Sequence, residues 1–130
     1  MMRLALVSCL ALSACAAAPM GSEPRVFDGE ASAGLNQTAV IGDVRIRPLE
    51  VLEDSRCPVD VMCVHAGFFR VRVEIRTDRQ TRTEVMDWNR GLALEDARSL
   101  RLTEITPERR HEGPQDPRPY RLTFTLGPGD

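Results

Sequence analysis

The chemically suggestive residues gather in one stretch, Glu53-Asp54-Ser55-Arg56-Cys57-Pro58-Val59-Asp60-Val61-Met62-Cys63-Val64-His65-Ala66-Gly67. Cys57 and Cys63 have five residues between them. Structural zinc sites usually place paired cysteines about two to four residues apart, and a thioredoxin-like redox pair has about two between. Neither pattern fits, so in an oxidising compartment the pair is expected to form a disulfide. A loop this short contributes about 2–2.5 kcal/mol in the chain-entropy account. Pro58, just inside the loop, restricts the unfolded ensemble further. The competing chemistry is a zinc or copper set of Cys57, Cys63 and His65, with Asp60 or Asp54 as fourth ligand. A reactive cysteine would need a lowered thiol pKa, and Arg56 beside Cys57 is the one evident aid.

Other chemistry is weakly signalled. Glu53, Asp54, Asp60 and Glu74 include no pair that spacing selects for glycoside hydrolysis. His65 and His111 lack a nucleophile context, and no phosphate-cradling glycine loop is present. Trp88, the single tryptophan, suits core packing or a rim contact. No catalytic residue and no cofactor is expected. The candidates for contact with a ligand or partner are Arg56, Asp60, His65 and Trp88.

The run Asp54-Ser55-Arg56-Cys57-Pro58, followed by Cys63 and then Ala66-Gly67, resembles a family of small bacterial lipoproteins of unknown function. Their shared pattern is D-S-R-C-P-x4-C-x-W-A-G. His65 stands where that family shows tryptophan, so a titratable ring replaces an apolar anchor. The resemblance implies fold and location and carries no activity.

The N-terminus agrees with export. Met1-Met2-Arg3 is a short basic head, and Leu4 to Ala14 is an apolar run too short to span a bilayer. Leu12-Ser13-Ala14-Cys15 resembles the bacterial lipobox, which makes Cys15 the expected lipidation site and 1–14 the signal peptide. Two acyl chains would then anchor the protein stably to a membrane. Cleavage without lipidation, releasing a periplasmic protein, is the alternative. Ala16 after the cysteine favours the outer membrane over inner-membrane retention. With Cys9 lost in the leader and Cys15 lipidated, Cys57 and Cys63 remain as a pair.

All seventeen basic residues are arginine, which removes lysine nucleophile and Schiff-base chemistry. The formal charge of -2 argues against nucleic acid as a partner, and aromatic content of 5% leaves few stacking platforms.

The elements that must position these residues read as strands. Residues 15–37 look like the lipidated cysteine and a flexible tether, low in hydrophobicity, with a weak strand signal at Val26-Phe27. Thr38 to Asp54 reads as one strand with a break at Pro48, where the apolar phase shifts as at a bulge. Phe69, Val71, Val73 and Ile75 alternate with Arg70, Arg72, Glu74 and Arg76, the clearest strand in the chain. Arg70, Arg72 and Arg76 form a basic stripe, read mainly as a solvated face paired with Glu84 and similar residues. Thr81 to Asp87 returns as a hairpin partner, and Leu92 to Asp96 suits a short helix or loop. Strands follow from Leu100 to Thr106 and from Tyr120 to Leu126, separated by a proline-containing loop.

The sequence therefore predicts an all-β fold, a small antiparallel β-sandwich or partly open barrel over 38–130, built from five or six strands. It further predicts an outer-membrane lipoprotein facing the periplasm. The expected role is a non-enzymatic binding or structural module with an envelope protein or cell-wall partner. An inhibitor of an envelope enzyme, presented through the Cys57–Cys63 loop, is a narrower form. A metal-binding protein is the alternative.

Overall fold

The computed structural model describes residues 29–115 and 117–129. The predicted leader, the lipidated Cys15 and the Val26-Phe27 strand lie outside the described residues. Eight strands run in order: β1 Gly29–Gly34, β2 Ala39–Ile41, β3 Val44–Asp54, β4 Phe69–Arg76, β5 Thr81–Asp87, β6 Leu92–Ala93, β7 Arg98–Thr106 and β8 Arg121–Pro128. They form two antiparallel four-stranded sheets, β1-β8-β7-β6 and β2-β3-β4-β5, which do not close into a barrel. The all-β expectation holds.

The alternating residues explain the layering. Val44 and Ile46 of β3, and Phe69, Val71, Val73 and Ile75 of β4, are buried from one sheet. Leu100, Leu102 and Ile105 of β7, and Leu122, Phe124 and Leu126 of β8, are buried from the other. The two faces share one core, with Ala33, Ala39, Ile41 and Met86 at its margins. Each large side chain so buried contributes about 1.5–3 kcal/mol relative to exposure.

Three local expectations are corrected. The tether read over 15–37 extends too far, because Gly29–Gly34 pair with Leu126–Arg121 as β1. Gly, Ala and Ser gave that segment no apolar period, yet Ala33 is buried, and Ser32 hydrogen-bonds Thr123 across the pair at 2.9 Å. Thr38 to Asp54 is two strands, turned at Gly42-Asp43, rather than one. Leu92-Ala93 pair with Leu100-Ser99 as β6, where a helix or loop was expected. The predicted irregularity at Pro48 is present, as register shifts at Pro48/Glu50 and Val51/Glu53.

The basic stripe is a solvated face on which Arg70 and Arg72 are paired. Arg70 meets Asp87 at 2.9 Å and Arg72 meets Glu50 at 2.5 Å, while Glu84 pairs with Arg82. The sandwich has two poles. At one lie Gly29, the Gly42-Asp43 turn, and Arg98, whose guanidinium grips Asp43 at 2.8 and 2.9 Å and also pairs with Asp96. At the other, β3 and β7 run out into the loops that hold the candidate site.

Candidate functional site

The site begins as a continuation of the β3–β4 hairpin. Beyond the Asp54–Phe69 pair, Ser55 N–H donates to Phe68 O at 2.8 Å and Cys57 N–H to Ala66 O at 3.0 Å. Gly67 lies between these rungs with φ 75°, and a Cβ there would sit 1.8 Å from the Ser55 carbonyl oxygen. Glycine is therefore required where the strands approach. The expected disulfide is present: Cys57 and Cys63 are bonded with their Cα atoms 5.9 Å apart. It closes the tip of the extension. With both sulfurs in one bond, the thiolate pair of the Cys57/Cys63/His65 metal set is consumed. Among the described residues no group of three or more His, Cys, Asp and Glu side chains is placed to hold a metal.

Beneath the tip lies a compact polar knot. Arg56 is 7% exposed. Its Nε and Nη2 donate to the two oxygens of Asp54 at 2.7 and 2.9 Å. Its remaining donors reach Ile105 O at 3.2 Å and Pro107 O at 3.1 Å, tying β3 to the end of β7. The guanidinium also lies 5.3 Å from the Phe69 ring centroid. Tyr120 donates to Asp54 Oδ2 at 2.8 Å and packs edge-on against Phe69. Burial alone would raise the Asp54 pKa. The hydrogen bonds from Arg56 and Tyr120 outweigh it and hold the carboxyl below its ordinary value. Burial, followed by the bond to Asp54, raises Tyr120. The knot is satisfied on every side, which is what a buried charge pair requires.

A second loop, 107–120, is clamped onto the first. Val59 N–H donates to Arg109 O at 2.9 Å, and Arg109 Nη1 donates to Arg56 O at 3.2 Å. Asp60 accepts from the backbone N–H groups of His111 and Glu112 at 2.7 and 3.0 Å, and these bonds lower its pKa. Gln115 accepts from Arg110 N–H at 3.4 Å and donates to Arg110 O at 2.5 Å.

The arrangement presents two surfaces. One is an apolar crest on the bridged loop: Met62 and Val64 are 101% and 94% exposed, with Val59, Val61 and Phe68 also in solvent. The other is a cleft of about 530 Å³ between the loops, floored by Arg56, Asp54 and Tyr120. Four arginines line it, 56, 109, 110 and 118, against the carboxylates of Asp54 and Glu108.

Of the predicted contact residues, Arg56 is a buried strut and Asp60 a clamp on the second loop. Trp88 packs against the core, donates to Thr103 O at 3.4 Å, and shares a recess of about 220 Å³ with Arg56 and Cys57. His65 is exposed on the bridged loop and lines neither cavity. Sequence reasoning missed the crest and the whole contribution of loop 107–120. The crest was signalled by valines and a methionine inside a proline- and aspartate-marked loop, and the cleft by the adjacent Arg109-Arg110-His111.

Comparison with protein-family models, with curated proteins and with solved structures finds no match to this chain.

Proposed function

We propose that this chain is a lipid-anchored protein of the bacterial cell envelope whose β domain is a non-enzymatic binding module. In this reading Cys15 carries the lipid, the protein sits at the outer membrane facing the periplasm, and the resemblance to small envelope lipoproteins extends to location. The Cys57–Cys63 bond supports it, because disulfides persist in oxidising compartments.

The observation that carries the binding role is the crest. Folding normally hides large apolar side chains, and several left in solvent on one loop point to an interaction surface. Here Met62 and Val64 stand in solvent on a loop whose backbone is fixed by a disulfide, two hairpin rungs and Asp60. A loop ordered before contact loses less entropy on docking. The partner class that fits is a protein with an apolar socket. An envelope enzyme whose cleft receives Met62 is the narrower form, favoured by the complete exposure of that side chain.

Site-specific photo-crosslinking in intact envelopes tests this. A probe replacing Met62 should yield one discrete crosslinked protein, and a probe replacing Asp78, in the turn at the opposite pole, should not. Equal labelling from both positions, or none from Met62, overturns the binding role. Cys15→Ser should release the protein from membranes; continued membrane residence overturns the anchor.

A further inference from the structure

The outer face of β3 and β4 changes character along its length. Toward the bridged loop its arginines are matched by carboxylates, Arg70 by Asp87 and Arg72 by Glu50. Toward the Gly42-Asp43 turn they are not. We infer that this end of the face binds a phosphate group, free or at the head of a lipid.

Register is the first argument. Arg45 stands directly opposite Arg76, and Arg47 opposite Glu74. Opposed residues in an antiparallel pair have Cβ atoms about 4.5–5.5 Å apart, and like charges so placed destabilise the sheet. Arg47 follows Arg45 on the same face, about 7 Å along the strand. Three long side chains rooted this closely can turn their guanidinium groups onto one tetrahedral anion, and a bound anion relieves the repulsion between Arg45 and Arg76. Arginine's planar fork matches phosphate oxygens in two-point contact.

Charge is the second. Arg45, Arg47 and Arg76 are exposed, and among the described residues none of their guanidinium groups makes a hydrogen bond or ion pair. Against these three stands one acid in the same recess, Glu74, so an excess of positive charge remains. The acids close to them in sequence or register are engaged elsewhere: Asp43 grips Arg98 on the other sheet, and Glu50 pairs with Arg72. Asp78, in the turn after β4, is followed directly by Arg79. Both strands and their turns lie within the unbroken run 29–115.

Shape is the third. The four charged residues and Thr38 line a recess of about 170 Å³. Pockets for drug-sized ligands start near about 300 Å³, so this one suits a single phosphate group. It lies on an open sheet face, which leaves room for whatever the phosphate is attached to.

The test uses the purified chain with Cys15→Ser, so that no acyl group can enter a vesicle. One arm titrates it with inorganic phosphate at constant ionic strength in chloride. The other sediments it with vesicles of equimolar phosphatidylcholine and phosphatidic acid, against phosphatidylcholine alone. Saturable binding is expected; binding of inorganic phosphate assigns a free ligand, and binding to the acidic vesicles alone assigns a lipid headgroup. Arg45→Thr with Arg76→Thr should weaken it by about tenfold or more. Arg70→Thr with Arg72→Thr removes the same charge from the same face and should leave binding nearly unchanged. Equal weakening by the two pairs would show that net charge alone attracts the anion, and overturns the site, as does absence of binding in both arms. In phosphate-free buffer the Arg45→Thr, Arg76→Thr protein should be no less stable to urea, because it loses a repulsion and no partner. A fall in its midpoint shows that these arginines hold the fold, and overturns the reading. None of these results bears on crosslinking through Met62, so the two proposals fail separately.

Discussion

Gly67 and Gly113 both adopt left-handed backbone, with φ 75° and 81°, but their surroundings differ completely. A Cβ at Gly113 meets nothing within 4 Å, whereas one at Gly67 meets the Ser55 carbonyl oxygen at 1.8 Å and Arg56 Cα at 3.2 Å. Gly113→Ala should therefore cost only the conformational penalty, about 1 kcal/mol. Gly67→Ala carries that penalty and must also push Ser55 away until ordinary contact is restored. The displacement breaks the Ser55–Phe68 and Cys57–Ala66 hydrogen bonds. With each bond worth about 0.5–1.5 kcal/mol, the total is about 2–4 kcal/mol. For a domain of this size that corresponds to a fall in Tm of roughly 8–30 °C. Urea unfolding measures it as a shift in midpoint at unchanged slope. Amide exchange at Ser55 and Cys57 should accelerate in Gly67→Ala and not in Gly113→Ala. If the two substitutions cost the same within about 0.5 kcal/mol, steric collision is not what fixes this glycine, and the account of the bridged loop is wrong.

Arg56→Met should destabilise the domain by about 3 kcal/mol, since it strands a largely buried carboxylate and removes donors from two carbonyls. Tyr120→Phe should cost about 1.5 kcal/mol, and combining it with Arg56→Met should be non-additive because both act on Asp54. The Asp54 carboxyl lies below its ordinary value in the folded state, so the unfolded chain takes up the proton first as pH falls. Its contribution is present above the unfolded value of 3.8 and lost as pH drops through the folded one. The acid limb of a urea-midpoint profile should flatten in Asp54→Asn. Replacing Cys57 and Cys63 together by serine should cost about 2 kcal/mol in urea unfolding and leave the far-UV spectrum of the sheets intact. Loss of all strand signal would show that the bridge organises more than its own loop.

The sequence made the inner faces readable because β4 and β8 alternate without interruption, so the side that packs is evident from the residues alone. The spacing of Cys57 and Cys63 likewise pointed to their bond. β1 was hidden for the opposite reason. Ala31 and Ala33 are too small to mark a face, and what recruits Gly29–Gly34 is the unpaired edge of β8, a partner far along the chain. The site was misread in a related way. Arg56 stands in a conspicuous motif, which suggested contact with a ligand, but its donors turn inward to Asp54, Ile105 and Pro107. Two of those partners are backbone atoms about fifty residues away, and no local pattern reports them. The cleft needed loop 107–120 brought beside loop 55–68, a juxtaposition only the tertiary fold creates.

Gly29, the first described residue, sits against Ile41, beside the Gly42-Asp43 turn and about the full length of β3 from the crest. Eleven extended residues measure about 36 Å. The apolar tip therefore lies a strand's length from the Gly29 end of the domain, so whatever is held at that end leaves the tip open to approach from the other.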